Sequence, residues 1–183
     1  MIILALGSNL SSKFGSPKSA LQKAIQELRA VGIQTTKISN LYETAAHAYI
    51  RQPNFVNAAI IADTALPADA LLQVLERIEA EAGRSKKKIG RMPYFLWKPR
   101  PLDLDIVSYK GLIHNWSGLR PCGNKRVVLP HPRAHERAFV LRPVADIAPE
   151  WHHPVLGLTA EQLLKRPEVR STGKILSTES FYD

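Results

Sequence analysis

Two aspartates one residue apart, Asp103 and Asp105, lie in the run Leu102-Asp103-Leu104-Asp105-Ile106. On a β-strand alternate side chains share a face. Leu102, Leu104 and Ile106 then point into a core. The two carboxylates point together the other way, with Cβ atoms about 6–7 Å apart. Parallel carboxylates repel each other unless a cation or basic groups lie between them. Mg²⁺ suits such a pair, because it takes a few carboxylates and fills its shell with water and substrate phosphate oxygens. The plain alternative is the polar face of a half-exposed strand, although Asp is poor in strands. The pentapeptide alone leaves both readings open. Its context favours the metal: Trp97-Lys98-Pro99-Arg100 precedes it, and Arg100 is held between Pro99 and Pro101. Carboxylates beside an Arg/Lys-rich segment offer the parts of a polyphosphate site.

Two further patches offer binding chemistry. Gln52-Pro53-Asn54-Phe55-Val56-Asn57 enters an apolar run, so Phe55 and Asn57 share a strand face. An aromatic ring and a carboxamide on one face can stack on a flat heterocycle and hydrogen-bond its edge. Phe139 could supply a second aromatic wall. Each of these residues also has a purely structural reading. Several catalytic signatures are missing. There is no G-x-G-x-x-G and no G-x-S-x-G, and Gly173-Lys174 lacks the rest of a P-loop. His131 and His135 are four apart, but Pro130 and Pro132 flank His131 and argue against a helical metal pair.

Charge narrows the partners. The chain has 183 residues, a net charge of +9 and a pI near 9.8. Seven basic residues fall between Arg84 and Arg100: Arg84, Lys86, Lys87, Lys88, Arg91, Lys98 and Arg100. Five more (Lys110, Arg120, Lys125, Arg126 and Arg133) fall in a second acid-free stretch. The rest of the chain is slightly acidic. Lys86-Lys87-Lys88 taken alone reads as a solvated loop, whereas Arg100 is the better phosphate ligand. A hydrophobic fraction of 45% excludes wholesale disorder. The single cysteine, Cys122, excludes an internal disulfide and a cysteine-based zinc site. The apolar start, Ile2 to Leu6, is too short for a signal peptide or a membrane span.

These residues need elements to hold them. Ile2 to Leu6 predicts a strand ended by Gly7-Ser8-Asn9. Ser16-Pro17 predicts a helix start, with Leu21, Ile25 and Leu28 at helical spacing and Gly32 at its end. Ile33 to Tyr42 and Phe55 to Ile61 read as strands. Pro67 opens a second helix, with Leu71, Leu72, Leu75 and Ile78 as its stripe and Gly83 as its stop. Leu102 to Tyr109 is the fourth strand, and Lys110-Gly111 turns toward a possible hairpin partner. Leu129-Pro130-His131-Pro132 is extended. A helix near Glu136 to Leu141 is stopped by Pro143, and Thr159 with Gln162 makes a capping box for a last short helix. The order β-α-β-β-α-β predicts an α+β, ferredoxin-like, mostly antiparallel sheet with helices on one face. The expectation is a single domain over residues 1–183, with a basic lid-like loop at 84–100 and a tail at 154–183.

The motifs in order resemble one family. Leu6-Gly7-Ser8-Asn9-Leu10, Gln52-Pro53-Asn54-Phe55-Val56-Asn57-Ala58, Ile78-Glu79 with Gly83-Arg84, Arg100-Pro101-Leu102-Asp103-Leu104-Asp105-Ile106, and Leu129-Pro130-His131-Pro132 with Glu136-Arg137-Ala138-Phe139-Val140-Leu141 look like 6-hydroxymethyl-7,8-dihydropterin pyrophosphokinases. The resemblance runs from about Ile2 to Pro149. It implies a ferredoxin-like fold and transfer of pyrophosphate from ATP to the pterin hydroxymethyl group, with release of AMP. It implies that Asp103 and Asp105 bind two Mg²⁺ ions, and that Phe55 and Phe139 sandwich the pterin while Thr44 and Asn57 bond its edge. Trp97, Arg84 and Arg100 would close over the site. Leu72, Ile106, His131 and Arg137 would belong to the ATP side. The sequence departs from the family pattern at Ala45, His47, Arg51, Glu76, Leu96 and Lys98, and its basic loop is longer than usual.

Other functions compete. A sibling enzyme could act on a different pterin alcohol, a reading motivated by the altered Thr44–Arg51 loop. A basic nucleic-acid-binding module fits the charge, but aromatics are only 7% of the chain. The two aspartates inside the basic region would also repel a phosphate backbone. An inactive relative is disfavoured by the intact aspartate pair. The sequence therefore predicts a cytoplasmic monomeric enzyme with small-molecule substrates, and no nucleic-acid or membrane partner.

Overall fold

The computed structural model describes residues 1–46, 51–84, 99–117 and 127–182. Its elements are β1 (Ile2–Ser8), α1 (Pro17–Ala30), β2 (Gln34–Ile38), β3 (Leu41–Thr44), β4 (Phe55–Asp63), α2 (Ala68–Glu81), β5 (Asp103–Tyr109), α3 (Ala138–Ile147), α4 (Ala160–Leu164), α5 (Pro167–Arg170) and β6 (Ile175–Glu179). A short 3-10 turn, Ala134–Glu136, precedes α3.

Every pairing in the sheet is antiparallel, in the order β5-β1-β4-β3-β6, with β2 also on β4. With β2 and β3 taken as one interrupted strand, this is the split β-α-β arrangement expected of a ferredoxin-like α+β fold. The interruption corrects the single strand predicted over Ile33–Tyr42. Ser39 causes it locally: its N–H donates to the Ala59 carbonyl, and its Oγ accepts the Ala59 N–H, each at 2.9 Å. β2 therefore pairs with the far half of β4, and β3 with the near half.

Strand alternation sets the layers. Leu4 and Leu6 of β1, Ala58 and Ile60 of β4, and Leu104 and Ile106 of β5 face one side. There they meet Leu21, Ile25 and Leu28 of α1 and Leu71, Leu75 and Ile78 of α2. Burying each such leucine stabilises the fold by roughly 2 kcal/mol. Ile3, Ala59 and Val107 face the other side, under Val140, Leu141 and Val144 of α3, Trp151 and Leu163. Helices thus cover both faces, not one. Central strands that are apolar on both sides require it.

One local expectation is also corrected. Pro143 lies inside α3 rather than ending it, and it is buried. A proline inside a helix costs about 3 kcal/mol. The apolar face of α3 outweighs that cost, since helix stability comes mainly from packing. After the Lys110-Gly111 turn, His114 and Leu129 form one bridge among the described residues, bonded in both directions at 2.8 Å; residues 118–126 of the expected hairpin lie outside them. The helix starts hold as predicted. Ser16 Oγ accepts the Ser19 N–H at 3.2 Å, and Thr159 and Gln162 form the full capping box.

Trp97, Lys86, Lys87, Lys88, Arg91 and Lys98 of the basic loop lie outside the described residues, as do His47, Arg120, Cys122, Lys125 and Arg126.

Candidate active site

Register brings the predicted residues onto one face. Asn57 of β4 sits opposite Gly7 of β1, and Gly7 sits opposite Asp103 of β5. Thr44 of β3 sits opposite Phe55, and Asp105 sits opposite Ala5. Directly paired residues project to the same side of a sheet. Thr44, Phe55, Asn57, Asp103 and Asp105 therefore share the side covered by α3, opposite α1 and α2. Asn57 and Thr44 are buried, and the Asn57 amide donates to Thr44 Oγ1 at 2.9 Å. The middle of this row has no side chain, because a Cβ on Gly7 would lie 3.1 Å from Asn57 Oδ1. Phe55 is half-buried beside it. Phe139, on the first turn of α3, is also half-buried, and the Arg137 guanidinium lies 5.7 Å from its ring centre.

Asp103 is the hub of a charged cluster. Arg84 Nη1 donates to its Oδ1 at 2.7 Å, and Arg100 Nη1 donates to the same oxygen. Arg84 also pairs with Glu79. Burial pushes the Asp103 carboxyl up, but Arg100 and Arg84 outweigh it and hold the pKa below the usual range. Asp103 therefore stays anionic. Glu79 is 5% exposed, and its Oε1 accepts the Leu104 N–H at 2.7 Å. Burial pushes its carboxyl up to about 7, against the pull of Arg84. The end of α2 places Arg84. Gly83 turns with φ +104°, and the Arg84 N–H then bonds the Glu79 carbonyl at 2.9 Å. A left-handed residue at this position favours glycine.

The end of β1 places Arg100. The Arg100 N–H donates to Asn9 Oδ1 at 2.7 Å, and the Asn9 N–H returns a bond to the Arg100 carbonyl at 3.0 Å. Asn9 Nδ2 reaches Gln52 Oε1 and the Pro53 carbonyl, both at 3.2 Å. Ser8 Oγ donates to the Pro101 carbonyl at 2.7 Å. The Gly7-Ser8-Asn9 corner thus joins the segment before Asp103 to the segment before Phe55.

Leu72, Ile106 and His131 meet at a cleft of about 170 Å³, lined also by Asp105, Leu129 and Pro132 among others, while Arg137 is not part of its lining. His131 Nδ1 accepts the Arg133 N–H at 3.1 Å, so the neutral ring carries its proton on Nε2. Nε2 lies 3.6 Å from Asp105 Oδ2. Burial holds the imidazole pKa low, against the pull of Asp105. His135 does not join His131. Its ring lies 6.0 Å from Trp116 and 5.4 Å from His153, on a separate aromatic cluster.

Asp103 and Asp105 offer hard oxygen donors on one strand face. Among the described residues, no group of three or more His, Cys, Asp or Glu side chains gathers as a metal cage. A cation held by this pair would complete its shell from water and phosphate, the habit of Mg²⁺ rather than of a structural zinc. Glu79, Asn9 and Gly7 are functional positions to which the sequence assigns no role. Gly-Ser-Asn at the end of a strand is the signal for two of them, and for Glu79 the signal is its place in the Ile78-Glu79 motif before Gly83-Arg84.

The chain matches the family described as 7,8-dihydro-6-hydroxymethylpterin-pyrophosphokinase (HPPK) over residues 3–149. It is 35% identical over 165 residues to a 2-amino-4-hydroxy-6-hydroxymethyldihydropteridine pyrophosphokinase of Synechocystis, covering 90% of this chain and 74% of the relative. It is 35% identical over 158 residues to the folic acid synthesis protein fol1 of Pneumocystis carinii, covering 86% of this chain. The chain spans 19% of that relative's length. A crystal structure of Plasmodium falciparum HPPK-DHPS superposes with a TM-score of 0.62 at 14% identity, covering 88% of this chain and 43% of that one. That likeness bears on the fold alone.

Proposed function

The chain belongs to the 7,8-dihydro-6-hydroxymethylpterin-pyrophosphokinase family, and from that premise we propose that it moves the β,γ-diphosphate of ATP onto the hydroxymethyl oxygen of 6-hydroxymethyl-7,8-dihydropterin, as a step of folate biosynthesis. The bond from that oxygen to the β-phosphorus forms as the bond from the β-phosphorus to the α,β-bridging oxygen breaks. AMP leaves with the bridging oxygen, and the hydroxyl proton is released overall.

The observation that carries this reading is the single sheet face. It sets a paired Thr44 and Asn57 and the Phe55 ring at one end, and Asp103, Asp105, Arg84 and Arg100 at the other. A flat heterocycle fits the first group, and a polyphosphate fits the second. Phe55 and Phe139 would flank the ring, while Thr44 and Asn57 would bond its edge. Leu72, Ile106, His131 and Arg137 would hold the nucleotide around the cleft. Trp97, outside the described residues, would close over the pterin. Asp103 and Asp105 would hold Mg²⁺, two ions in the full complex, which when bound offset the charge of the phosphates. Arg84 and Arg100 already meet a carboxylate oxygen, and a phosphate oxygen offers the same geometry. The protein's part is positioning and charge stabilisation.

The test is to incubate the protein with Mg-ATP and measure AMP with and without 6-hydroxymethyl-7,8-dihydropterin. AMP formed only with the pterin supports the reading. AMP formed only with another pterin alcohol transfers the reaction to a sibling acceptor. Asp103→Ala or Asp105→Ala should cut turnover by about a hundredfold to a thousandfold, the scale of losing a charge-stabilising group, with circular dichroism unchanged. Near-normal AMP release by either variant would refute the metal assignment.

A further inference from the structure

The four residues Thr172 to Ile175 lie well beyond the 3–149 stretch that matches the family, yet they touch both sides of the acceptor pocket. On one side, the Lys174 carbonyl accepts the Ala45 N–H at 2.9 Å, and Ile175 pairs with Thr44 at the start of β6. On the other side, Thr172 Oγ1 accepts the Ala138 N–H at 2.9 Å. Its own proton can go to the Val169 carbonyl at 2.7 Å or the Glu136 carbonyl at 3.1 Å. Ala138 is the residue before Phe139.

Between these two grips sits Gly173. It is buried and has φ +64°. A Cβ there would lie 2.8 Å from Phe139 Cδ1, 3.3 Å from its Cβ and 3.4 Å from its Cγ. These are the three nearest atoms to that position, and all belong to one side chain. The backbone of residue 173 is thus the floor on which the Phe139 ring rests. Any side chain there would push against the ring.

We propose that Thr172-Gly173-Lys174-Ile175 is a positioning element for the acceptor pocket: it ties the Thr44-Ala45 edge to the start of α3, and Gly173 sets the place of the Phe139 ring. The inference rests on the proposed pterin site and deepens it. Gly173 and Thr172 are positioning residues that act through Phe139 and the Thr44 strand end. The tail then sets the width of the slot for the flat substrate, while the nucleotide cleft at Leu72, Ile106 and His131 lies on other elements.

A control is built into the same tail. Gly157 has φ +65° and nothing within 4 Å of its Cβ position. Gly157→Ala and Gly173→Ala impose the same backbone strain, and only the second meets Phe139. The experiment measures AMP release against each substrate for wild type, Gly157→Ala, Gly173→Ala, Thr172→Val and Thr172→Ser. We expect Gly173→Ala to raise the pterin KM about tenfold, roughly the loss of one good aromatic contact, with the ATP KM within about twofold of wild type. Gly157→Ala should leave both constants unchanged even though its backbone strain lowers the urea midpoint. Thr172→Val should raise the pterin KM in the same direction, and Thr172→Ser should restore it. This arm decides the matter if Gly173→Ala does not fold. An unchanged pterin KM in Gly173→Ala overturns the inference. So does an equal rise in both KM values, or a pterin defect of the same size in Gly157→Ala. If wild type releases no AMP with any pterin alcohol, the proposed function itself fails. If wild type turns over normally and the variants do not discriminate, only the positioning role fails.

Discussion

At the scale of single residues, the site depends on one buried carboxylate that touches no expected substrate group. Glu79 holds the Leu104 N–H and the Arg84 guanidinium at once, and Leu104 sits between the two aspartates. Glu79→Ala would leave a buried amide and a partly buried cation short of a partner. That should cost about 3 kcal/mol and lose most turnover. Glu79→Gln keeps an acceptor for Leu104 and the side-chain volume, so it should lose less than half as much stability. Urea denaturation of both variants checks the difference. Equal losses would mean that charge alone, not the hydrogen bond, holds Leu104. Asp103 and Asp105 were legible in the sequence because a strand's period of two fixes their common face from spacing alone. Phe55 and Asn57 were legible for the same reason. The role of Glu79 was not, although its motif was visible, because the bond to Leu104 arises only when α2 packs on β5.

At the scale of elements, α1 and α3 have separate duties. Among the described residues α1 packs on the face away from the site, so weakening it should change stability and leave catalysis alone. Ser16→Ala removes the Oγ that caps α1 and should cost about 1 kcal/mol. The effect is read as a lower urea midpoint with both KM values unchanged, and a shifted KM would show that the faces are coupled. α3 is the opposite case, since it buries Leu141 and Val144 on one side and carries Phe139 at its start. Helix starts at Ser16 and Thr159 were readable because a cap is a contact within one turn of chain. Pro143 looks like a stop in the sequence for the complementary reason. Its penalty is local, whereas the burial that overrides it comes from strands distant in sequence. The break at Ser39 has no local signal either, because the group that occupies Ser39 Oγ is the Ala59 amide across the sheet.

At the scale of the whole molecule, distant segments meet in a cluster that no substrate residue explains. Trp116 after β5, His135 in the turn before α3, and Trp151 and His153 after α3 bring their rings within 6.0 Å of one another in successive pairs. His153 is fully buried. Its Nδ1 accepts the Val155 and Leu156 N–H groups at 3.3 Å, so its proton sits on Nε2. Among the described residues, that Nε2 and His135 Nδ1 have no hydrogen-bond partner. Burial, with His135 adding to it, pushes the His153 pKa down to about 4. Burial also lowers that of His135, against the pull of Glu136. A histidine depressed in the folded state binds more protons when unfolded. Its contribution is therefore fully present above the unfolded value of about 6.5 and is lost as pH falls from there toward 4. For His153 alone the linkage is worth up to about 3 kcal/mol. Asp103 acts in a different window, because its depressed pKa withdraws stability only below the ordinary carboxylate range. Glu79 works the other way, because a carboxyl raised to about 7 gains stability as pH falls from there. The histidine limb is therefore read as the difference in urea midpoint between wild type and His153→Asn, whose Oδ1 can still accept from Val155 and Leu156 but does not titrate. From about pH 8 to 4.5 that difference should stay constant above about pH 6.5 and move against wild type below it, and an equal difference at about pH 7 and pH 5 would show that His153 does not govern acid stability.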